Sequence, residues 1–500
     1  MSNNIMFQGT ASTVGKSILT AALCRILNDE GTSVAPFKSQ NMALNSFVTE
    51  DGKEMGRAQV VQAEAARIKP TVEMNPILLK PTSDVGSQVI LNGKIYKNMR
   101  AKDYFSTKAS FKNHILKAYN KLKDQYDVIV LEGAGSPAEI NLRENDIVNM
   151  GMAEMVDAPV VLIGDIDKGG VFASIYGTVM LLEPEERKRI KGYIINKFRG
   201  DVKILQPGID MFYEKLQIPC LGVIPYKPLN IDDEDSVTER FDKQKDADIV
   251  IGVLKLPYMS NFTDFTVFEL EDNVSVRYIK DYRDFIDIDL LIIPGSKNTI
   301  KDMEYIHNSS LKKGIYTVHR DNIPIVGICG GYQMLGEVIT DEKGVETSIN
   351  SINGLGLLEV KTEMEETKQT TQIKGNIISE VSFAKEAYNL VVSGYEIHMG
   401  TTRLTGDCES LIKLEDGRLD GAINNSKNVF GTYLHGIFDN DKLRKSVLTN
   451  IKIKKGIDCK NDIDYAKLKD KEYDKLAELV RNNIDLDKIK DIIYKRNLNS

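Results

Sequence analysis

Short apolar runs recur along the first half of the chain, and glycine or proline bounds most of them. Examples are "NIMFQG", "DVIVLEGAG", "PVVLIGDI", "GYIINKF" and "CLGVIPY". Between them lie longer stretches in which apolar residues return every three or four positions, as in "KSILTAALCRILNDEG". Continuous apolar strands that alternate with amphipathic helices indicate a parallel, doubly wound sheet. We therefore predict an α/β fold for this half.

A polar stretch separates this half from a second series of apolar runs. Residues 229–247 are acidic and polar, which is typical of a linker. The runs "IVIGVLKLP", "DLLIIPGS", "IPIVGICGG" and "NVFGTYLHG" then predict a second doubly wound α/β sheet. Residues 446–500 are rich in Lys and Asp and favour a short helical tail surrounded by solvent. The predicted divisions are 1–228, 229–247, 248–445 and 446–500.

Composition and charge narrow the class of protein. A chain of 500 residues with 42% hydrophobic and 27% charged residues is typical of a multi-domain globular protein. The net charge of −7 gives no support for binding to nucleic acid or to an anionic membrane, and the apolar runs are too short to span a bilayer. Five cysteines without a C-x-x-C pair argue against disulfides and zinc. We expect a cytoplasmic enzyme; its oligomeric state stays open.

A candidate phosphate-binding loop follows the first predicted strand. The stretch "GTASTVGKS" ends in Gly-Lys-Ser, but its first glycine lies one position earlier than in G-x-x-x-x-G-K-[ST]. A phosphate site needs backbone N–H groups at a helix N-terminus, a lysine and a hydroxyl group for a metal ion. The strand before the loop and the helix after it supply that context. We predict that ATP binds here, through Gly9, Thr10, Thr13, Val14, Gly15, Lys16 and Ser17.

Polar residues also follow other predicted strands. Glu132 is predicted to hold Mg²⁺ together with Ser17, and Asn196 is placed where its amide could read an adenine edge. Ligands bind beyond the carboxyl ends of parallel strands, so these ends should converge. Each aspartate taken alone could instead cap a helix or a turn. Candidates for contact with the substrate or an acyl phosphate are Lys38, Gln40, Asn41, Asp165, Asp167 and Lys168.

The second half carries a candidate thiol nucleophile. In "IPIVGICGGYQMLG" an apolar strand leads to Cys329, two glycines and a helix, which is the pattern of a nucleophile elbow. A cysteine at a helix N-terminus gains thiolate character. Backbone N–H groups of Gly295, Ser296 and Gly330 could form an oxyanion hole. His435 directly follows a strand and is the predicted general base, with His398 as the rival.

The motif C-x-G-x-Q at 329–333, followed later by His435, resembles class I glutamine amidotransferase domains. The resemblance implies that the cysteine attacks the amide of glutamine and releases ammonia, and that Gln333 contributes to glutamine binding. That family's third catalytic member is an acid two positions after the histidine. Here this position is Ile437 and the nearest acid is Asp439, so only a Cys–His pair is assigned.

The first half resembles dethiobiotin synthetase and its relatives, whose loop has the same extra residue. The two halves in this order resemble the cobyric acid synthase family, which also contains blocks like "PFKSQNMALNS", "EGAGSPAEINL", "DIDKGGVFAS", "INKFRGD" and "GYEIHMG". The resemblance implies use of ATP, Mg²⁺ and glutamine. The implied substrate is a corrinoid, adenosylcobyrinic acid a,c-diamide, which is amidated at its b, d, e and g carboxylates.

Three alternatives stay open from the residues. The chain could amidate another carboxylate, as a cobyrinic acid a,c-diamide synthase or as an amidase of a cell-wall precursor. It could be a P-loop ATPase scaffold with an inactive glutaminase-like domain. It could also be a thiol hydrolase with a regulatory nucleotide domain. A glutaminase assay separates the scaffold from the others, and coupling of ATP turnover to product separates the hydrolase.

Overall fold

The computed structural model describes residues 3–83, 86–232, 245–458 and 463–494. The chain forms two compact units, each assembled from separate stretches of sequence. Unit 1 comprises Met1–Ala43, Glu54–Glu234 and Lys467–Ser500, and unit 2 comprises Leu44–Lys53 and Asp235–Ala466. The chain therefore passes from unit 1 into unit 2 and back before its middle is reached.

The elements are numbered in chain order. The strands are β1 (Asn3–Gly9), β2 (Val34–Phe37), β3 (Gln40–Met42), β4 (Ser46–Val48), β5 (Glu54–Gly56), β6 (Ile77–Ser83), β7 (Gly86–Leu91), β8 (Lys94–Arg100), β9 (Val128–Glu132), β10 (Val160–Asp165), β11 (Ile190–Phe198), β12 (Cys220–Pro225), β13 (Ile249–Leu254), β14 (Val274–Ile279), β15 (Leu290–Ile293), β16 (Ile325–Ile328), β17 (Val338–Thr340), β18 (Ser351–Asn353), β19 (Val360–Ile377), β20 (Val391–Leu404), β21 (Ile412–Leu414), β22 (Leu419–Asp420), β23 (Ala422–Ile423) and β24 (Val429–Thr432). The helices are α1 (Lys16–Asp29), α2 (Arg57–Ala65), α3 (Ala101–Thr107), α4 (Lys112–Lys123), α5 (Met150–Met155), α6 (Val171–Leu181), α7 (Pro184–Arg189), α8 (Val202–Leu216), α9 (Thr266–Glu269), α10 (Thr299–Asn308), α11 (Leu311–Arg320), α12 (Gly330–Leu335), α13 (Asp441–Lys455), α14 (Tyr465–Arg481) and α15 (Leu486–Tyr494).

The main sheet of unit 1 has six parallel strands in the order β12-β11-β10-β1-β9-β2. Its central strands are buried on both faces, which explains their continuous apolar sequences. In register, Phe7 lies opposite Glu132 and Gly9 opposite Ile163. The carboxyl ends of β9 and β10 therefore flank the loop that follows β1. A smaller sheet of order β3-β6-β7-β8 completes this unit.

The main sheet of unit 2 has the order β14-β13-β15-β16-β24-β23, parallel except for its last pair. A second sheet contains β18-β17-β19-β21-β22, and the long strand β20 pairs with β19. The predicted fold class, two doubly wound α/β sheets with a helical C-terminal region, is confirmed. No helix within the described ranges is long and apolar enough to cross a membrane.

The predicted linker 229–247 begins too early. Ile231 is only 5% exposed and packs in the core of unit 1, and Asp232 pairs with the buried Arg57 at 2.7 Å. An apolar anchor and a buried ion pair are structural, not linker, features. Residues 233–244 of this prediction lie outside the described residues.

The prediction of a solvated tail over 446–500 is also wrong for the described residues. Helix α13 buries Val447 and Leu448 in unit 2, whereas α14 and α15 bury Leu476 and Ile489 in the core of unit 1. Arg25 of α1 is fully buried and binds two carboxylates of α14. The charged residues that suggested a solvated tail lie on one face of these helices. The apolar residues lie on the other face and pack against the protein core.

Candidate functional site

Cys329 stands at a strained turn between β16 and α12. Its backbone adopts φ 51° and ψ −107°, a conformation that costs energy for a residue with a side chain. The Cys329 N–H donates to the carbonyl of Thr432 on β24 at 2.8 Å. A methyl group on Gly331 would lie 1.9 Å from the carbonyl oxygen of Ile293, so only glycine fits there. The predicted nucleophile elbow therefore has its expected geometry.

His435 follows β24 and is buried beside the elbow. Its Nδ1 lies 2.7 Å from Oδ2 of Asp264, and the N–H of Gly436 donates to Oδ1 of the same carboxylate at 3.2 Å. The ring also lies near enough to Cys329 for the cysteine to influence its protonation. Nucleophile, imidazole and carboxylate thus form a chain of three groups, in the order a thiol hydrolase requires.

The electrostatics of this site favour the charged form of His435. Burial by itself disfavours the imidazolium, but the charges of Asp264 and Cys329 and the hydrogen bonds to both raise the pKa of His435 above its ordinary value. A protonated imidazole next to the sulfur stabilises the thiolate, which is the nucleophilic form of cysteine. The surroundings of His435 therefore favour its protonated form.

The predicted oxyanion residues gather around the elbow. A methyl group on Gly330 would lie 2.9 Å from the backbone nitrogen of Ser296, and one on Gly295 would lie 3.1 Å from Cε1 of His435. The Ser296 hydroxyl donates to Asp302 at 2.5 Å, so its backbone N–H is the group left for an oxyanion. Burial raises the pKa of Asp302 to about 7, although hydrogen bonds to Ser296 and Tyr258 oppose the shift.

Gln333 and His398 line the same region of unit 2. Gln333 accepts a hydrogen bond from Thr299 at 3.1 Å and donates to the hydroxyl of Tyr433 at 3.1 Å. The His398 ring stacks on Tyr433 at 3.6 Å between centroids, and burial lowers its pKa to about 4. Of the two histidines considered from the sequence, His435 is the one that joins a carboxylate to Cys329. The glutamine-binding role of Gln333 stays a prediction.

In unit 1, the phosphate loop is preorganised around Lys16. Its Nζ donates to the carbonyl oxygens of Ala11 and Ser12 and to that of Gly135, at 2.9, 3.0 and 3.0 Å. Gly15 caps α1 with φ 98°, which a residue with a side chain rarely adopts. The ammonium group is thus held inside the loop by neutral acceptors that a phosphate could replace.

Glu132 is the centre of a second cluster beside the loop. Its Oε1 accepts from Ser17 Oγ at 2.8 Å and from Lys38 Nζ at 2.9 Å, and its Oε2 accepts from Gln62 at 2.5 Å. The hydroxyl of Ser17 and the carboxylate of Glu132 are hard oxygen donors, which Mg²⁺ prefers, and nucleotide phosphates supply further oxygens. These residues fit the predicted magnesium site. Within the described residues, no cluster of three or more His, Cys, Asp and Glu side chains suits a metal held by protein alone.

The other predicted nucleotide residues contact the loop itself. Asn196 Nδ2 donates to the carbonyl of Val14 at 2.8 Å, so the side-chain amide of Asn196 stabilises the phosphate loop. Lys168 donates to Oγ1 of Thr13 at 3.1 Å, and Ser174 donates to that of Thr10 at 3.2 Å. Recognition of adenine by Asn196 stays a prediction.

The remaining substrate candidates divide into two groups. Lys197 joins Asp165 at 2.8 Å, and Arg199 joins Asp167 at 2.8 Å, so both aspartates are paired with cations. Gln40 accepts from the hydroxyl of Tyr104 at 2.6 Å, whereas the buried Asn41 donates to Gln59 at 3.2 Å. Contact of any of these residues with a substrate stays a prediction.

Sequence reasoning missed two residues of these sites. Asp264 lies in a short 3₁₀ turn that is distant in sequence from His435, and no recognisable motif surrounds it. Gln62 lies on α2, and nothing in the surrounding sequence distinguishes it from other polar helix residues. The sequence near His435 therefore gives no indication of Asp264, which lies 171 positions away.

Unit 2 has the strained cysteine and the His–Asp pair of a glutamine amidotransferase. Unit 1 has the phosphate loop and the neighbouring carboxylate of a P-loop nucleotide-binding module. The chain is thus a glutamine amidotransferase that also contains a nucleotide-binding module. Residues 250–443 match the CobB/CobQ-like glutamine amidotransferase domain, and residues 5–236 match the CobQ/CobB/MinD/ParA nucleotide binding domain. The chain belongs to the cobyric acid synthase family.

Relatives in three species carry that family name over nearly the whole length of this chain. A cobyric acid synthase of Clostridium botulinum (strain Kyoto / Type A2) is 52% identical over 98% of this chain and 99% of its own. One of Clostridium acetobutylicum is 53% identical over 97% of this chain and 98% of its own. One of Alkaliphilus metalliredigens is 52% identical over 96% of this chain and 98% of its own. The predicted family resemblance is confirmed.

Proposed function

We propose that this protein is an ATP-dependent amide ligase that takes nitrogen from glutamine and converts carboxylates of a corrinoid into carboxamides, in cobalamin biosynthesis. In detail, it amidates the b, d, e and g carboxylates of adenosylcobyrinic acid a,c-diamide to give adenosylcobyric acid. The observation that carries the proposal is that this chain, which is 52% identical to a cobyric acid synthase over 98% of its length, contains both the Cys329, His435 and Asp264 site and the Lys16 loop.

The glutaminase half-reaction follows from the geometry of unit 2. The Cys329 thiolate attacks the amide carbon of glutamine, and the N–H groups of Ser296 and Gly330 stabilise the oxyanion. His435 gives its proton to the leaving nitrogen, so ammonia departs and a thioester remains. His435 then takes a proton from a water molecule that attacks the thioester, which releases glutamate and restores the thiolate. Asp264 keeps the imidazole oriented and favours its protonated form.

The synthetase half-reaction takes place in unit 1. A substrate carboxylate attacks the γ-phosphorus of ATP and forms an acyl phosphate, with ADP as the leaving group. Ammonia then attacks the acyl carbon and expels phosphate, which leaves the carboxamide. The ammonium group of Lys16 stabilises the negative charge of the transferring phosphoryl group. Lys38 neutralises the carboxylate of Glu132. When Mg²⁺ is bound by Ser17 and Glu132, it supplies further neutralisation of the phosphate oxygens.

Lys38, Gln40 and Asn41, which follow β2, are proposed to contact phosphate or the corrinoid carboxylates. Asp165 and Asp167 are proposed to orient the acyl phosphate, with Lys168 beside the phosphate loop. A net charge of −7 means that a substrate with several carboxylates must meet local cations, as these lysines provide. We place the reaction in the cytoplasm, where ATP and glutamine are supplied.

Mass spectrometry of the corrinoid tests the proposal. The protein is incubated with Mg·ATP, glutamine and adenosylcobyrinic acid a,c-diamide, and each amidation changes the mass by the replacement of OH by NH₂. We expect successive amidations up to the fully amidated product. Cys329→Ala should lose them with glutamine and retain them with ammonia.

Two outcomes would contradict the proposal. An unchanged corrinoid with both nitrogen sources, alongside intact glutamine hydrolysis and ATP binding, would reject the substrate. Equal product from Cys329→Ala and the unchanged protein with glutamine would reject Cys329 as the source of ammonia. Cobyrinic acid serves as the comparison substrate, because its preferred amidation would indicate an a,c-diamide synthase instead.

A further inference from the structure

Helix α2 of unit 1 carries polar side chains on two opposite faces, although most of the helix is buried. Arg57 is 8% exposed, Gln59 and Gln62 are fully buried, and Glu64 is half-buried. Because a helix turns by about 100° per residue, Gln59 and Gln62 share one face and Arg57 and Glu64 share the opposite one. Buried polar groups are costly unless they are paired, so each face needs its own partners.

The face with Gln62 reaches the predicted magnesium site. Gln62 Nε2 donates to Oε2 of Glu132 at 2.5 Å and to the carbonyl oxygen of Ser17 at 3.4 Å. Groups that hydrogen-bond a metal-binding carboxylate orient it, so Gln62 sets the direction in which Glu132 faces the phosphate loop. Gln62 Oε1 is buried without a hydrogen-bond partner among the described residues, which suits it to accept from a bound water molecule or ligand.

The opposite face of α2 meets a cluster of charges that includes the C-terminal helix α14. Arg57 pairs with Asp232 at 2.7 Å. Lys469 of α14 lies 2.5 Å from Oε2 of Glu64 and 3.6 Å from Oδ2 of Asp232. The hydroxyl of Tyr473, also on α14, donates to Oε2 of Glu64 at 2.7 Å. Two cations thus face two carboxylates, and loss of one member leaves a poorly compensated charge.

The protonation states in this cluster strengthen the contact between α14 and α2. Burial by itself raises the pKa of Glu64, but the charges of Lys469 and Arg57 and the hydrogen bonds from Lys469 and Tyr473 lower it below its ordinary value. Burial and the charge of Glu64 raise the pKa of Tyr473 well above its ordinary value. The carboxylate is therefore charged and the phenol is protonated, which makes their hydrogen bond charge-assisted.

Helix α14 also binds α1, whose first turn carries Ser17. Arg25 lies about two turns farther along α1 and is fully buried. Its Nη2 lies 2.6 Å from Asp470 and 2.6 Å from Asp474 of α14. Its Nη1 donates to the carbonyl oxygen of Ala65, the last residue of α2, at 3.3 Å. Helix α14 thus joins the two helices that contact Glu132.

We infer that α14 is a positioning element of the nucleotide site: by holding α1 and α2 together, it sets Ser17 and Gln62 against Glu132 and so prepares the site for Mg²⁺ with ATP. The inference rests on the proposed function only in its assignment of Mg·ATP to Lys16, Ser17 and Glu132. It does not depend on which carboxylate is amidated.

The expected effect is specific to the metal complex of the nucleotide. Loss of a group that supports a metal ligand typically costs about 10- to 100-fold in metal affinity or activity. The residues of α14 act on Glu132 through α2, so we expect the lower end of this range. ATP without Mg²⁺ should bind unchanged, because the contacts of Lys16 inside the phosphate loop do not involve α14.

Three variants of the full-length chain and one control test the inference. Lys469→Met removes the cation beside Glu64, and Lys469→Arg restores the charge. Tyr473→Phe removes only a hydroxyl group and is expected to fold normally. Glu478→Gln, on the exposed face of α14, is the matched control. Calorimetric titration gives the Kd for ATP with Mg²⁺ and with EDTA, and circular dichroism verifies that each variant is folded.

We expect the Kd for Mg·ATP to rise about 10-fold in Lys469→Met and about threefold in Tyr473→Phe, with Lys469→Arg and Glu478→Gln within about twofold of the unchanged protein. The Kd measured with EDTA should be the same in all of them. If Lys469→Met does not fold, Tyr473→Phe decides.

Three results would overturn the inference. One is an unchanged Kd for Mg·ATP in the folded variants. Another is equal weakening with Mg²⁺ and with EDTA, which is the result of a merely structural role for α14. The third is an affinity of the unchanged protein for ATP that does not respond to Mg²⁺. By contrast, an unchanged protein that binds Mg·ATP with this metal dependence but leaves the corrinoid unmodified contradicts the proposed function alone.

Discussion

Asp264 and His435 are 171 positions apart in the chain, yet Oδ2 of Asp264 lies 2.7 Å from Nδ1 of His435. The two residues are fully or almost fully buried, at 5% and 1% exposure. A buried carboxylate bound to an imidazole fixes its tautomer and stabilises its charged form. Asp264 therefore makes the contact with the imidazole that the family resemblance led us to expect from an acid two positions after the histidine.

Replacement of this carboxylate should impair glutamine hydrolysis alone. Asp264→Asn keeps the shape of the side chain but removes the charge that stabilises the imidazolium. We expect kcat for glutaminase to fall about 100- to 10,000-fold, as for comparable catalytic triads. Steady-state release of glutamate measures the loss.

Asp439→Asn is the control for this experiment, because Asp439 is the acid nearest to His435 in the sequence and is exposed. Its glutaminase activity should stay within about twofold of the unchanged protein, which is the range expected of an exposed substitution. A larger loss in Asp439→Asn than in Asp264→Asn would assign the third catalytic position to Asp439. Ammonia-dependent amidation should be retained in both variants.

The protonation of His435 should be directly visible by NMR. The chain has five histidines, so selective labelling gives few signals. The charges of Asp264 and Cys329 and the hydrogen bonds to them outweigh burial and raise the pKa of His435. Its imidazolium should therefore persist at pH values above the ordinary histidine range. Asp264→Asn removes one negative neighbour and should lower the pKa; superimposable titrations of the two proteins would refute this electrostatic account.

Loss of the Glu132 carboxylate should separate the two half-reactions. Glu132→Gln weakens the contacts to Ser17 and Lys38 and removes a charged oxygen donor for Mg²⁺. We expect ATP-dependent amidation with ammonia to fall at least about 100-fold and its requirement for Mg²⁺ to rise, since transition-state charge is then poorly neutralised. Basal glutamine hydrolysis should persist. Glu154→Gln, an exposed glutamate of the same unit, should leave both activities intact.

The docked tail should contribute measurably to stability. Leu476 of α14 is 1% exposed in the core of unit 1. Leu476→Ala leaves a cavity and should lower the free energy of unfolding of this unit by about 2–5 kcal/mol. Urea unfolding followed by circular dichroism measures the change. Glu478→Ala, on the exposed face of the same helix, should change it by less than about 0.5 kcal/mol.

Local patterns were sufficient for the parts of the sites that are contiguous in sequence. The elbow at Cys329 needs a strand, small neighbours and a helix, and all three are visible within a few residues. The loop that ends at Lys16 and Ser17 is recognisable for the same reason, despite its extra residue. The parallel sheet order then brings Glu132 to the loop, as expected for neighbouring strand ends.

Features that depend on distant packing were not predictable. Nothing around Asp264 distinguishes it from other acids, because its role comes from its contact with His435. Helices α14 and α15 are as highly charged as solvated helices. Only the residues that contact their apolar faces show that they pack against the core of unit 1. The stretch Leu44–Lys53 of unit 2 reads as an ordinary part of the first half, because burial against Tyr395 leaves no local sequence signal.

The interleaved division of the chain has a consequence for its dissection. Separate polypeptides 1–234 and 235–500 would each lack part of the unit they mainly encode: the first carries Leu44–Lys53 of unit 2, and the second carries Lys467–Ser500 of unit 1. We therefore expect that neither half folds completely on its own. Produced together, the two halves contain complementary surfaces, so the protein is suited to split-chain complementation, in which glutaminase activity reports reassembly.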